Sequence, residues 1–451
     1  MVTAKHGPEH LPDIDSETIE QAHRVVDRLG LQSRQWSARA EGWKDRLRRG
    51  DGNAWCGLVL ALVPRLETLS IEFLTREGMY GLSTWDPNRF AKNTCEKLFG
   101  YILDSASPEA LLLLDLSLLP GLRNLYELRF FGQELDANWC LLPNLHSLEV
   151  GRDCVRPDIL RGCASSLEPA ARPQVSWLTM ELSTSLTLTH MLDHFGALQQ
   201  VFLSPSTFPN LTSLRLRLTN IAFDGYQNEY DDPDWNGPER VVLRADYTGA
   251  FDNLLDRLGS IAARIRYLEF HVYSDMCTGF LSFIEPATDF TRFRSLRRLA
   301  LPQELLLGQF YGISSRSYTP PAASRLLPAS LENLALHFVT IQVFDWLDEL
   351  LDHKAYFADL WMLELFCDDR RGDIYPDVLG MSEVWLEDRT HWFNVLVFAA
   401  PWEEHADNQK SYDCDPYVVR VIRHLDSLHE EEAVNVCEVM DFLEGLTIEG
   451  T

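Results

Sequence analysis

Basic side chains are scarce in this sequence. Its 451 residues include 40 Lys and Arg against 67 Asp and Glu, which gives a formal net charge of -27. A surface of this charge repels phosphates, so we predict neither a nucleic-acid partner nor binding to an anionic membrane. No run reaches about 18 apolar residues without a charge, and the longest, 110–122, is interrupted at Asp115. The first ten residues also lack the apolar core of a signal peptide.

Paired cysteine motifs are absent as well. The nine cysteines are an odd number, scattered along the chain and without a C-x-x-C pair. A disulfide framework is typical of shorter chains with an even number of cysteines, so the pattern favours a reducing compartment. Together with the missing signal peptide, it predicts a cytoplasmic or nuclear protein.

The common catalytic motifs are missing too. The sequence contains no G-x-S-x-G elbow, Walker loop, G-x-G-x-x-G turn, H-E-x-x-H helix or kinase motif. The acidic residues 231, 232 and 234 lack EF-hand spacing, and Cys414, His424, His429 and Cys437 do not share a face of the helices predicted there. We therefore predict no enzyme, no cofactor and no metal site.

Leucine is abundant, at about 16% of residues, and it recurs in an internal repeat. The phrase L-x-x-L-x-L, with other apolar residues allowed, appears nine times. We call each occurrence a triplet. The triplets are Leu66/Leu69/Ile71, Leu125/Leu128/Phe130, Leu145/Leu148/Val150, Val175/Leu178/Met180, Leu211/Leu214/Leu216, Ile265/Leu268/Phe270, Leu296/Leu299/Leu301, Leu331/Leu334/Leu336 and Leu360/Leu363/Leu365.

The spacing of the triplets indicates one strand and one helix-sized return per repeat. The first residues of successive triplets are mostly 20–36 residues apart, and two intervals are longer, at 59 and 54 residues. If each long interval contains one degenerate repeat, the average repeat length is about 29 residues. Pro64, Pro143, Pro209 and Pro328 precede triplets, as expected where a helix ends and a strand begins. Helix-like patterns occupy 54–63, 108–119, 186–198, 252–261 and 341–353.

Stacking such units buries the aliphatic face of every strand in one continuous core. The predicted fold is therefore α/β: a right-handed solenoid, or horseshoe, with a parallel sheet on the concave face and helices on the convex face. We divide it into an N-terminal helical cap (1–52), the repeats (53–400) and a C-terminal helical cap (401–451). The caps would be helices starting near Ser16, Ser33 and Asp415, and residues 392–400 would form one more buried strand.

The phrases Leu142-Pro-Asn-Leu, Phe208-Pro-Asn-Leu and Leu327-Pro-Ala-Ser-Leu resemble the irregular repeats of fungal F-box/leucine-rich-repeat proteins over about residues 53–400. The resemblance implies a substrate receptor with ubiquitin-ligase components as partners. Two features depart from the family. No F-box is recognisable after Leu11-Pro12, and the inward Asn or Cys of each repeat is replaced. Its positions hold Leu74, Gln133, Asp153, Ser183, Thr219, Tyr273, Glu304, Val339 and Asp368.

Alternation along the strands places the residues that flank the second and third apolar positions on the concave face. Arginines and aromatics there are of the types enriched at binding hot spots. The predicted partner-binding residues are Arg129, Trp177, Arg215, Arg217, Tyr267, His271, Arg298 and His337. The last six would form a locally basic and aromatic patch for an acidic or phosphorylated segment of a partner.

The leading hypothesis is a non-enzymatic adaptor that binds a protein on its concave sheet and rim loops. Two polar insertions, 224–239 and 312–324, have turn residues and no apolar period. A competing hypothesis is an enzyme whose site is formed by the 224–239 loop and the 392–407 segment. A third is self-association through exposed sheet edges.

Overall fold

The chain folds into helices and mostly parallel strands. The computed structural model describes residues 14–63, 65–72, 94–100, 114–131, 135, 137–151, 154, 173–182, 186–187, 194–218, 249–272, 284–308, 321–367, 377–378, 380–382, 385, 394–398 and 420–422. By compactness the chain divides into two units. Apart from Thr187, the described residues up to Ser213 belong to the first unit, and those from Leu214 onward belong to the second.

Three helices open the first unit: α1 Ser16–Gly30, α2 Arg34–Arg48 and α3 Gly52–Leu62. The predicted cap at Ser16 is off by one residue, because Asp15 accepts the backbone N–H of Thr18 and Ser16 begins the helix. Ser33 caps α2 as expected, by accepting from the backbone N–H of Trp36. Asp51 caps α3.

The buried face of α2 supplies the aromatic core of these helices. Trp36 and Trp43 are fully buried and lie 6.0 Å apart between ring centroids. Phe99, from α4 (Thr94–Phe99), meets both rings edge-on at 5.6 and 5.5 Å. The indole N–H of Trp43 donates to the carbonyl of Ala54 at 3.0 Å, so the polar group of this buried side chain has a hydrogen-bond partner.

In every triplet the second and third residues lie on a strand, as predicted, and the first residue lies two positions before the strand begins. The strands are β1 Thr68–Glu72, β2 Glu127–Phe131, β3 Ser147–Val150, β4 Trp177–Glu181, β5 Ser213–Leu218, β6 Gly249–Ala250, β7 Tyr267–Val272, β8 Ile284–Glu285, β9 Arg298–Pro302, β10 Asn333–His337, β11 Met362–Phe366, β12 Asn394–Phe398 and β13 Arg420–Ile422. The second and third residues of every triplet are buried, which removes about 1.5–3 kcal/mol of unfavourable hydration per large side chain.

Within each unit the strands pair in parallel and in chain order. In the first unit β1 pairs with β2, β2 with β3 and β3 with β4, and triplet residues lie opposite each other, as Leu128 and Leu148 do. In the second unit the order is β5-β7-β9-β10-β11-β12, again with triplets in register. The predicted strand at 392–400 is present as β12.

Helical segments return the chain between strands. They are the 3-10 turn Leu116–Leu118, α5 Ala137–Cys140, α6 His194–Gln200, the 3-10 turn Val201–Leu203, α7 Phe251–Ala262, α8 Gln303–Leu307, α9 Ala323–Leu326 and α10 Val343–Asp352. In the second unit, Phe251 of α7 meets Phe270 of β7 edge-on at 4.8 Å. That contact joins the apolar face of the helix to the aliphatic face of the strand.

A repeated hydrogen-bond pattern is found at the start of β2, β3, β4, β5, β9, β10 and β11. We call the residue that follows the first apolar residue of a triplet its lead residue. The carbonyl of a lead residue accepts hydrogen bonds from two consecutive backbone N–H groups of the next repeat, as Tyr126 accepts from His146 and Ser147. The lead residues that accept in this way are Glu67, Tyr126, His146 and Ser176 in the first unit and Arg266, Arg297 and Glu332 in the second.

Polar side chains just before the triplets form further hydrogen bonds between neighbouring repeats. Asn144 donates to the carbonyl of Arg123 at 2.9 Å in the first unit. Ser295 and Ser330 donate to the carbonyls of Ala263 and Leu296 at 2.7 and 2.9 Å in the second unit. The repeats therefore have a polar ladder at the beginning of the strands.

Three expectations about the architecture are wrong. The long intervals hide no strand of this sheet, because β1 pairs directly with β2, and β5 neighbours β7. The extra strand β6 pairs instead with β8, in a separate two-stranded sheet. Residues 420–422, predicted to be helical, form β13, which pairs antiparallel with β12. Finally, α9 begins at Ala323, inside the loop predicted for 312–324.

Several other expectations fall outside the described residues. They include most of 108–119 and of the loop at 312–324, the whole 224–239 loop, and the last predicted helix near Val436. Across the described ranges, no helix combines the length and the apolar character needed to cross a membrane.

Candidate functional site

The polar face of the first unit is partly open to solvent. On β2 the exposure alternates, so that Leu128 and Phe130 are buried while Glu127 and Arg129 are half-exposed. The same alternation holds on β3, where Ser147 and Glu149 are half-exposed. This pattern arises because successive side chains of a strand point to opposite faces.

Two predicted partner-binding residues, Arg129 and Trp177, lie on this open face. The Arg129 side chain is 40% exposed, and its Nε lies 2.7 Å from Glu127 and 3.6 Å from Glu149. Trp177 is half-buried, and its indole N–H donates to the hydroxyl of Thr179 at 3.2 Å. Both side chains are held in place while part of their surface remains accessible.

The polar face of the second unit is different, because an interior ion-pair network occupies it. At its centre is Glu269 of β7, whose side chain is only 6% exposed. Arg215 of β5 donates from Nε to Oε2 of Glu269 at 2.6 Å. Arg298 of β9 has its Nε 3.4 Å from the other carboxylate oxygen, so two predicted binding arginines share one buried anion.

A second buried carboxylate completes the network. Glu364 of β11 accepts a two-pronged contact from Arg298, with Nη1 to Oε1 at 3.3 Å and Nη2 to Oε2 at 2.9 Å. Asn333 of β10 donates to the same carboxylate at 2.8 Å. Such a fork is the strongest arrangement of an arginine and a carboxylate, and here it connects β9, β10 and β11.

The charges of this network determine how its groups titrate. Burial alone would raise the pKa of Glu269, but the positive charge of Arg215, the hydrogen bond from His271 and the charge of Arg298 together hold it well below its ordinary value. Burial likewise opposes the charged form of Arg298, and the charges of Glu364 and Glu269 reverse this effect and raise its pKa. Both arginines are therefore compensated inside the protein.

The two predicted binding histidines are buried. His271 and His337 are 3% and 4% exposed, and their rings meet edge-on at 5.3 Å. His337 also packs on Phe366 at 5.1 Å. Burial lowers the pKa of both. For His271 burial outweighs the hydrogen bond to Glu269 and the negative charge of Glu269, which act in the opposite direction, and for His337 the neighbouring His271 lowers the pKa further. Both imidazoles are thus neutral at pH 7, and His337 has no hydrogen bond at Nε2 within the described part of the chain.

The structure places the residues of the predicted basic patch in different surroundings. Arg215 and Arg298 have the expected orientation, but they neutralise Glu269 and Glu364, and the histidines are inaccessible. Arg217 and Tyr267 are half-buried at the margin of the network. Glu269 and Glu364 lie on the same predicted face, and the sequences Y-L-E-F and M-L-E-L signal an inward charge that needs a partner.

The start of the strands in the second unit is where charge is exposed. The lead residues Arg266 and Arg297 are exposed, as is Arg294 in the turn before β9. Sequence reasoning missed these residues because it considered only the face of the sheet. The sequence signal that could have identified them is the concentration of arginines in 264–266 and 292–298, within an otherwise acidic chain.

Metal and catalytic sites gain no support from this geometry. Among the described residues, no three His, Cys, Asp or Glu side chains come close enough to hold a metal ion. The segments of the alternative enzyme site lie outside the described residues except 394–398, and there Val395, Leu396 and Val397 are buried in β12. Comparison of the chain with protein-family models and with curated proteins finds no match.

Proposed function

We propose that this protein is a non-enzymatic scaffold of the leucine-rich-repeat type, a horseshoe that binds a partner protein on surfaces built by its strands. The observation that carries this proposal is the recurrence of one strand unit. Triplets pair in register, and the carbonyls of seven lead residues accept the same two N–H groups from the next repeat. Repeats of this kind generate extended surfaces from a preformed backbone.

The open face of β2, β3 and β4 fits such a role best among the described strands. It combines an aromatic side chain, Trp177, with an arginine, Arg129, held by Glu127 and Glu149. Tryptophan and arginine are the side chains that most often dominate binding energy. Because they project from a paired sheet, a partner would meet a preorganised surface, and little ordering entropy would be lost on binding.

A role as a ubiquitin-ligase substrate receptor requires a second docking element. The residues after Leu11-Pro12 do not continue as an F-box, so the resemblance supports partner binding by the repeats more than ligase recruitment. Binding of a protein partner is the part of the resemblance that the strand surfaces support.

Site-specific photo-crosslinking in cells tests this function. A benzoyl-phenylalanine at position 147, in the middle of the open face, is expected to form a defined adduct with another protein. The control position is Arg24, an exposed residue of α1 away from the strands, with 75% of its side chain accessible. Trp177→Ala, made in the position-147 protein, is expected to reduce the adduct about tenfold or more.

Three outcomes would contradict the proposal. The first is an identical adduct pattern at both positions, which would mean unspecific collision. The second is the absence of any adduct from position 147 under conditions in which the probe is shown to react. The third is an adduct consisting only of a second copy of the chain, which would support self-association instead.

A further inference from the structure

Three exposed arginines lie together at the strand starts of the second unit. Arg266 directly precedes β7, Arg297 directly precedes β9, and Arg294 lies in the turn before Arg297. We call these three residues the arginine ridge. It lies outside the buried network of Glu269 and Glu364.

Arg266 and Arg297 occupy equivalent positions on neighbouring strands. Both are lead residues, and the backbone N–H of Arg297 donates to the carbonyl of Arg266 at 2.7 Å. Their backbones are therefore about one strand spacing, roughly 4.8 Å, apart. Like charges directly opposite each other on adjacent strands destabilise a sheet. The pair thus opposes folding, whereas an anion bound between the two guanidinium groups would contact both.

Little negative charge offsets the ridge. Glu332 lies 3.4 Å from Arg297, but both side chains are substantially exposed, at 38% and 50%, so water screens their attraction. Arg266 and Arg294 make no ion pair with any residue in the described ranges. The next arginine along, Arg292, is paired with Asp256 at 2.5 Å and faces Asp289 at 4.0 Å. Within the described ranges, positive charge is therefore in local excess here, although the chain as a whole has a net charge of -27.

An exposed aromatic side chain extends the ridge along the same edge. It belongs to Trp361, the lead residue of the last triplet, which is 37% exposed. The backbone N–H of Trp361 donates to the carbonyl of Glu332, and the backbone N–H of Glu332 donates to the carbonyl of Arg297. Trp361 is thus two strands from Arg297, or about 10 Å.

We infer that the arginine ridge and Trp361 form a docking surface for an extended acidic segment of a partner protein. Two carboxylates on alternate residues of the segment would bind Arg266 and Arg297, and an apolar side chain two residues further along would pack on Trp361, because alternate side chains of an extended chain share a face and lie about 6.6 Å apart. Nucleic acid suits this surface less well, because the rest of the chain repels a long polyanion. The inference rests on the proposed function, since it names the chemistry of a protein partner.

A defined peptide tests it directly. The probe is a fluorescein-labelled peptide with two glutamates separated by one residue and a phenylalanine two residues after the second, titrated with the full chain by fluorescence anisotropy. Binding is expected to weaken as salt is added, because dissolved ions screen the attraction between solvent-exposed charges. Arg266→Glu/Arg297→Glu is expected to lose about 100-fold in affinity, at about tenfold per charge-assisted contact.

Matched variants separate binding from folding. Arg123→Glu changes an exposed arginine at the repeat position of Arg294, but in the first unit, and is expected to leave the affinity unchanged. Trp361→Ala is expected to lower the affinity for the phenylalanine peptide about tenfold and to have no effect on a peptide with alanine there. All variants should melt within about 2 °C of the parent protein, since exposed substitutions rarely change stability by more.

The failures are distinguishable from those of the proposed function. No binding of the peptide, or equal binding by the charge-reversed ridge, would overturn the docking surface while leaving the crosslinks from position 147 intact. Equal binding of a single-stranded DNA of the same charge would also overturn it, in favour of unselective anion attraction.

Discussion

Arg215 and Glu269 form a 2.6 Å hydrogen-bonded ion pair between β5 and β7, with the carboxylate almost completely withdrawn from water. The same carboxylate lies 3.3 Å from Nε2 of His271 and 3.4 Å from Nε of Arg298. A buried acid surrounded in this way must stay ionised, because protonation would leave the arginines uncompensated. The pair is therefore part of the interior of the protein, although sequence alternation placed its arginine on a binding surface.

Replacing the central acid measures this role. Glu269→Gln keeps the shape but removes the charge, so we expect the free energy of unfolding in urea to fall by about 3–5 kcal/mol. Glu127→Gln is the matched control, because Glu127 also pairs with an arginine at 2.7 Å but on the open face of the first unit. The control should lose about 1 kcal/mol or less. Equal losses in the two variants would contradict the distinction between a buried network and an open face.

The buried histidines should make stability depend on pH. In the folded protein the pKa of His337 is well below its ordinary value of 6.5, so below about pH 6.5 the unfolded chain binds a proton that the folded chain does not. Stability therefore falls as pH decreases, by up to about 1.4 kcal/mol per pH unit for each histidine. We expect His337→Gln to show a shallower decline between pH 7 and 5.5 in urea denaturation. The same slope as in the parent protein would contradict this assignment.

Below the range in which the histidines titrate, Glu269 should make the stability of the protein depend on pH as well. The pKa of Glu269 is held well below 4.5, so its contribution is complete above that value and is lost as pH falls through the lower folded-state pKa. Glu269→Gln should remove this component. Denaturation curves between pH 4.5 and 3 check it, and an unchanged slope in the variant would show that other carboxylates dominate.

Substituting glycine by alanine should have opposite effects on stability at two sites in the first unit and at one site in the second. A Cβ at Gly57 of α3 would lie 2.0 Å from the carbonyl oxygen of Leu98, and one at Gly121 would lie 1.8 Å from that of Leu60. Either alanine must push backbone apart, at a cost of about 1–3 kcal/mol or more. Gly259 of α7 has open space around it, so Gly259→Ala should instead stabilise by about 0.5–1 kcal/mol. Thermal melting gives both signs, and a stabilising Gly57→Ala would refute the close helix contact.

The polar ladder before the triplets is testable at one serine. Ser330→Ala removes the 2.9 Å bond to the carbonyl of Leu296, and we expect a loss of about 1 kcal/mol in urea denaturation. Ser324→Ala, at a half-exposed serine of α9, is the control and should be near neutral. An unchanged stability in Ser330→Ala would mean that water replaces the bond.

Much of the strand architecture was predictable because it depends on a local pattern. The triplet of Leu145, Leu148 and Val150 has the two-residue alternation of a strand, and burying it requires neighbours with the same alternation. The N-terminal helices were equally readable from their caps and apolar periods. The C-terminal helix was predicted wrongly because Val421 and Ile422 fit either period, and pairing with β12 decides in favour of a strand.

The candidate site was predicted only in part, because alternation tells which face a side chain is on but not what covers it. Arg129 and Arg215 occupy similar positions in the pattern. In the structure Arg129 is 40% exposed beside surface acids, while Arg215 is 20% exposed and paired with a buried one. No local rule distinguishes these cases, since the partner of Arg215 lies 54 residues away.

The amino-acid sequence by itself determined the α/β class, the positions of the strands and the aliphatic core, because hydrophobic periodicity acts over a few residues. Only the tertiary structure decided which polar side chains became interior ion pairs and which arginines stayed at the surface. That outcome depends on desolvation and on charges from distant strands, and both are defined only once the strands have paired.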